Sequence, residues 1–191
     1  MKLQMKISKI LCITILAFAV LGFIFSLGLS NTLYNVYMQQ ANGLRKNQGP
    51  HLFLEIQSFN SDLVNICITF IVAAVFLFVT KIHSRRNYYI SNIVVTVVAV
   101  GLNLALGIYG LINCLDFRHK FLTEVNFEEY KKAVELLNIG VYTESTFWFD
   151  INAILLIIQM ILALGLVGNL ILKLRLMKEE KRLLAGGALN E

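Results

Sequence analysis

The chain has 191 residues, of which 57% are hydrophobic and 15% are charged, and its formal net charge is +5. Soluble domains carry about 25% charged residues. A chain this apolar cannot present the polar surface of a soluble globule. The composition therefore excludes an ordinary soluble domain and favours a membrane protein.

The apolar residues fall into four separate runs, each long enough to cross a hydrocarbon core of about 30 Å, which takes about 20 residues. Lipid offers no partner for an unpaired backbone N–H or C=O group, so each run is predicted to be helical. Unbroken runs also exclude a β-barrel, whose strands alternate. The predicted fold is an all-α integral membrane protein, a bundle of four transmembrane helices at 10–29, 63–80, 89–115 and 147–172.

The first run follows Lys2, Lys6 and Lys9, as the apolar core of a secretory signal does. It is about twenty residues long, whereas a signal core usually has about 7–15. We therefore expect residues 10–29 to remain as a transmembrane helix.

Basic residues predict the orientation, because cytoplasmic loops are rich in Lys and Arg. With four spans, most of the 17 Lys and Arg fall on one side, at the N-terminus, in the second connection and in the C-terminal tail. The opposite side holds most of the acids. We therefore expect a protein of the bacterial plasma membrane with both termini in the cytoplasm.

The whole chain, 1–191, is expected to form a single membrane domain. Helical spacing of apolar residues continues beyond the first span and precedes the second, which predicts an outward-projecting helical hairpin at 30–62. Asn126 and Glu129 form a capping-box pattern that predicts a short helix within the outer segment 116–146. The remaining parts are an inner turn at 81–88 and a basic helix or tail at 173–191.

The third span carries small and polar residues at steps of three and four, which places them on one face of the helix. Helix interfaces in lipid favour such residues. The stripe is predicted to contact other helices of the bundle or a partner protein, and its members are Asn92, Thr96, Ala99, Asn103, Gly107 and Gly110.

Asn103, Thr69 and Gln159 all fall near the middle of their spans. They are predicted to form a mid-membrane polar cluster. Such a cluster either fixes the register of the helices by interhelical hydrogen bonds or lines a path for a substrate. The structural role is favoured because no ionisable residue accompanies the three.

Both outer segments are rich in aromatic residues. Aromatic side chains gather at membrane interfaces, so a belt with a small helical core is the simpler interpretation. The alternative is an exposed groove that binds a peptide, a lipid or a protein. This predicted outer aromatic surface comprises Tyr34, Tyr37, Phe53, Phe59, Phe127, Tyr130 and Trp148.

Phosphate-binding loops, HExxH, GxSxG and CxxC motifs are absent from the sequence, so no catalytic residue, cofactor or metal is predicted. His51 and Glu55 lie one helical turn apart, a spacing that chance also produces. Cys67 and Cys114 belong to the same half of the membrane and are expected either to pack or to pair.

The C-terminal tail carries five basic residues without the interleaved aromatics of a nucleic-acid site. We expect it to bind anionic lipids at the inner face. These residues are Lys173, Arg175, Lys178, Lys181 and Arg182.

Together these features predict a non-enzymatic membrane subunit that assembles with other membrane proteins in a transport, envelope or signalling complex. The alternative is a self-assembling channel or small transporter with a mid-membrane polar path. A third class, an intramembrane enzyme, would need an outer site built on a His and an acid.

Overall fold

The computed structural model describes residues 2–41, 49–82, 90–128, 131–132, 135 and 144–187. This described part contains no strand. Its long elements are four α-helices: α1 (Lys2–Ala41), α2 (Gly49–Ile82), α3 (Ile90–Glu124) and α4 (Phe147–Gly187).

Each helix contains a stretch long and apolar enough to cross a membrane, which confirms the prediction of four such helices. The stretches are Gln4–Leu29, Glu55–Thr80, Asn92–Glu124 and Phe147–Glu180. At about 1.5 Å per residue, the 40 residues of α1 and the 41 residues of α4 are each about 60 Å long. Both helices therefore exceed the thickness of a hydrocarbon core, and the basic segment after Lys173 continues α4 without a break as far as Gly187.

Parts of the predicted connections lie outside the described residues. These include the turn expected near residues 42–48 and most of the inner turn. In the outer segment, residues 127–128, 131–132 and 135 are helical. The other positions of the short helix predicted there, Tyr130 among them, are outside the described part.

The four helices form a closed ring in which each packs mainly on two neighbours. α1 packs on α2, α2 on α3, α3 on α4, and α4 on α1. One hydrogen bond joins Asn92, near the beginning of α3, to Lys173 in α4, and a second joins Asn103, further along α3, to Gln159, which precedes Lys173 in α4; these two helices are therefore antiparallel. We call the end with Gln4, Asn92 and Lys173 the basic end, and the end with Phe59, Phe121 and Trp148 the aromatic end.

Two apolar clusters fill the ring. The cluster nearer the aromatic end includes Phe59, Phe70, Phe121 and Phe149 among its buried side chains. The cluster nearer the basic end is built from smaller residues, Cys12, Ile15, Ala73, Ala74, Leu77, Ala99, Val100 and Leu166. Small residues allow the helices to approach closely, and this close packing stabilises helix pairs in lipid.

Large apolar side chains also cover the outside of the bundle. Ile10, Phe76, Ile112 and Ile161 are each at least 60% exposed. A soluble monomer rarely exposes large contiguous apolar patches, whereas hydrocarbon contact makes such an exterior favourable.

Candidate functional site

The predicted α3 stripe faces the interior of the ring, and all six of its members are buried. A Cβ atom added at Gly107 would lie 2.7 Å from Cγ of Met160, and one at Gly110 would lie 3.2 Å from Cδ1 of Leu156. Both neighbours belong to α4. The glycines therefore let α3 and α4 approach each other, and the stripe contacts helices of the same chain.

Two of the three residues predicted for the mid-membrane cluster come together. Nε2 of Gln159 donates to Oδ1 of Asn103 at 2.9 Å, and Nδ2 of Asn103 donates to the carbonyl oxygen of Ala99 at 2.7 Å. Thr69 donates instead to the carbonyl oxygen of Asn65 in its own helix, at 2.8 Å, and is partly exposed. The structure thus forms an amide pair between α3 and α4 at this level.

The amide pair keeps one unsatisfied acceptor. Oε1 of Gln159 is buried and has no hydrogen-bond partner in the described part of the chain. Gln159 also lines a narrow cleft between α1, α2 and α4, which we call the central cleft. Its lining is mainly apolar and consists of Phe18, Ala19, Gly22, Leu63, Cys67, Phe70, Asn152, Leu155, Leu156 and Gln159.

At the aromatic end, the described aromatic residues mainly form a core. Phe59 is only 4% exposed and its ring lies 5.1 Å from that of Phe117, in a stacked arrangement. Phe121 is buried against Phe127, edge to face at 5.4 Å. Phe59 is therefore a packing residue rather than part of an outer surface. The side chains of three further predicted members, Tyr34, Tyr37 and Phe53, lie outside the described residues.

Trp148 is partly buried and packs directly on α1. Its indole ring occupies the space where a side chain on Gly28 would begin, so a methyl group there would overlap the ring. The same ring lies 6.3 Å from the ring of Phe25. The absence of a side chain at Gly28 therefore allows Trp148 of α4 to pack against α1.

An ion pair that the sequence did not reveal joins α3 to α4 at the aromatic end. Nε of Arg118 lies 2.6 Å from Oδ1 of Asp150, and the hydroxyl of Thr146 donates to Oδ2 of Asp150 at 2.6 Å. Asp150 lies in the first turn of α4, where the helix dipole favours an acid. The sequence indicated this pair only in that both charged residues lie near the same end of adjacent predicted spans.

Cys67 and Cys114 do not form a disulfide, and both thiols are buried. The Cys114 thiol donates to the carbonyl oxygen of Phe149 at 3.2 Å. Among the described residues, no group of three His, Cys, Asp or Glu side chains is placed to hold a metal ion. The side chain of His51, considered for such a site, is outside the described part.

The basic end contains an open polar cleft, which we call the basic cleft. Nζ of Lys173 donates to Oδ1 of Asn92 at 3.1 Å, and Nε2 of Gln4 donates to Oδ1 of Asn169 at 3.2 Å. The cleft thus joins α1, α3 and α4, and its lining consists of Gln4, Met5, Ser8, Lys9, Asn92, Thr96, Leu166, Asn169, Leu170 and Lys173.

Lys173 differs from the other basic residues described in the tail. It is buried, whereas Arg175, Lys178 and Arg182 are exposed; the side chain of Lys181 lies outside the described residues. Helical spacing contained the signal, because Lys173 lies one turn beyond Asn169 and two beyond Leu166, on the inward face of α4. The positive charge of Lys173 alone predicts an exposed position in the tail and not this buried one.

No protein-family model, curated protein or solved structure matches this chain.

Proposed function

We propose that the chain is a non-enzymatic subunit of the plasma membrane that assembles with other integral membrane proteins through the outer face of α3. One observation carries this proposal. Gly101 and Ala105 are both exposed and lie one helical turn apart, and a Cβ atom at Gly101 would meet no atom within 4 Å. We call these two residues the outer notch.

The glycines of α3 differ in what surrounds them. Gly107 and Gly110 face Met160 and Leu156 of the same chain, whereas Gly101 faces open space. A glycine in the middle of a helix costs about 1 kcal/mol relative to alanine. The internal glycines offset that cost by allowing close packing within the ring. A helix from another molecule would provide the same compensation at Gly101.

The chemistry of the surrounding face suits a helix partner. Two small residues at a spacing of four allow a second helix backbone to approach closely in lipid. Val97, Val98 and Ile108 beside the notch are each more than half exposed. Their β-branched side chains have few rotamers to lose when they become packed. The notch therefore favours a protein contact over a purely lipid one.

The proposed orientation places the basic end in the cytoplasm. Exposed cations at that end include Lys9, Arg175 and Lys178, while Asp116 and Glu144 are exposed towards the aromatic end. This asymmetry supports cytoplasmic termini. In intact cells, an impermeant maleimide is expected to label a Glu144→Cys variant and not a Lys178→Cys variant. The reverse pattern would overturn the orientation.

Purification of the full chain from native membranes in a mild detergent, followed by mass spectrometry, tests the assembly itself. We expect a different integral membrane protein in stoichiometric amount. Its identity would assign the host as a transport, envelope or signalling complex. A clean monomer or a clean homo-oligomer would contradict the subunit proposal.

A self-assembling channel or small transporter is the second candidate. It is supported by Gln159, whose buried Oε1 has no partner among the described residues and whose side chain lines the central cleft. In this case the purified chain forms an oligomer that conducts ions in liposomes. Conductance should then be lost in an Asn103→Leu variant, which removes the partner of Gln159.

A further inference from the structure

We infer that the basic cleft binds a phosphate group, presented by an anionic phospholipid headgroup or by soluble phosphate. The inference rests on four side chains that line this one cleft at the basic end, those of Lys173, Ser8, Lys9 and Asn169. This site is separate from the outer notch, so it does not depend on assembly with a partner.

Lys173 places a cation within the packed part of the bundle. Only 9% of the residue is exposed, and its ammonium group donates to the neutral amide oxygen of Asn92. Removing an ammonium from water is costly unless polar groups or an anion replace the hydration. The second charged side chain in the described lining is Lys9, which is also positive. The lining is therefore complementary to an anion.

Neutral donors complete the cleft. Ser8 is only 7% exposed, and it lines the cleft beside Lys173 and Lys9. Asn169 accepts from Gln4 through Oδ1, so its Nδ2 group is not committed to that bond. Phosphate oxygens accept hydrogen bonds from ammonium, hydroxyl and amide groups together, and the charge-assisted bonds are the strong ones.

The position of the cleft favours phosphate among anions. Asn92 begins the apolar stretch of α3, and Lys173 is the first charged residue that follows Asp150 in α4. In a bilayer this is the level of the headgroups, where phosphate is the most abundant anion. Basic pockets between transmembrane helices on the cytoplasmic side bind the headgroups of anionic lipids.

The test is a titration of the purified full chain in detergent, with melting temperature as the readout of binding. The probes are a short-chain phosphatidylglycerol, a diacylglycerol with the same acyl chains, and inorganic phosphate. We expect phosphatidylglycerol to raise the melting temperature and the diacylglycerol, which has no phosphate, to leave it unchanged. An equal shift with both would overturn the inference, because acyl-chain contact would then explain binding.

Lys173→Met and Lys178→Met form the matched pair of variants, since Lys178 is exposed on the same helix. We expect the apparent dissociation constant to rise about tenfold or more for Lys173→Met and to change less than about twofold for Lys178→Met. Ser8→Ala should weaken binding about threefold to tenfold without removing a charge. Equal losses in the two lysine variants would overturn the site, because diffuse attraction to the tail would explain them.

The remaining arm identifies the source of the phosphate. If inorganic phosphate produces the same Lys173-dependent shift, soluble phosphate is sufficient. If only phosphatidylglycerol does so, the headgroup is the ligand. If neither probe shifts the melting temperature of the unmodified chain, the inference is wrong, and this result leaves the capture of a protein partner unaffected.

Discussion

Gln159 on α4 donates a hydrogen bond from Nε2 to Oδ1 of Asn103 on α3, at 2.9 Å, in the buried interior of the bundle. The pair lies where the two apolar clusters meet, because Leu156 belongs to one cluster and Leu166 to the other. A displacement of α4 along α3 would leave Nε2 of Gln159 and Oδ1 of Asn103 without this bond in an apolar surrounding. The pair therefore fixes the register of these two helices.

Replacing one partner of this pair is expected to be worse than replacing both. Asn103→Leu or Gln159→Leu leaves a buried amide without its partner and should lower the free energy of unfolding by about 1–3 kcal/mol. The double variant removes both polar groups and should be more stable than either single variant. Denaturation in mixed detergent measures all three. Additive losses would contradict a register-fixing role.

Gly28→Ala is expected to destabilise the protein by about 1–3 kcal/mol, because its methyl group would overlap the ring of Trp148. Gly101→Ala is the matched control, since its methyl group meets no atom within 4 Å and should be neutral or stabilising by about 0.5–1 kcal/mol. Melting temperatures of the two variants in the same detergent provide the comparison. Equal effects would show that Trp148 does not pack on Gly28.

The Arg118–Asp150 ion pair is expected to contribute little to stability. The two side chains are 38% and 43% exposed, and pairs of this kind contribute about 0–1 kcal/mol. Arg118→Gln should therefore change the free energy of unfolding by less than about 1 kcal/mol. Asp150→Asn should cost more, because Thr146 also donates to this carboxylate. A larger loss in Arg118→Gln than in Asp150→Asn would contradict these contacts.

The cysteines provide a test of the packed interior. Cys12, Cys67 and Cys114 are all buried thiols. A maleimide added without reductant should label none of them in the folded protein and all of them after denaturation in strong detergent. The mass of the denatured product measures the number of labels. One label on the denatured chain would instead indicate a disulfide, and rapid labelling of the folded chain would show that the bundle is open.

The helices themselves could be predicted from the sequence, because four long apolar runs have no other way to satisfy their backbones in lipid. The spacing of Asn92, Thr96, Asn103 and Gly107 also indicated which face of α3 is buried, since small and polar residues favour protein contacts over lipid. The placement of Gln159 against Asn103 followed from their equal depths.

Other contacts could not be predicted because lipid and protein interiors are similarly apolar. Hydropathy does not distinguish the inward face of a helix from its lipid-facing side. Depth alone predicts Thr69 beside Asn103, but Thr69 bonds within its own helix. The charge of Lys173 predicts an exposed position in the tail, whereas the helical repeat of α4 puts this residue on the inward face, in the basic cleft. Aromatic residues such as Phe59 occur both in interfacial belts and in cores.

The most direct test of the subunit proposal is a comparison of the unmodified chain, Gly101→Ile and Ile161→Leu. Each is purified from native membranes in mild detergent and analysed by quantitative mass spectrometry. Gly101→Ile adds a branched side chain in the outer notch, where a Cβ atom would meet no other atom within 4 Å, and Ile161 is exposed on α4. We expect a stoichiometric membrane-protein companion that is retained by Ile161→Leu and lost with Gly101→Ile, at an unchanged melting temperature. A companion retained equally by all three, or no companion with any, would contradict it.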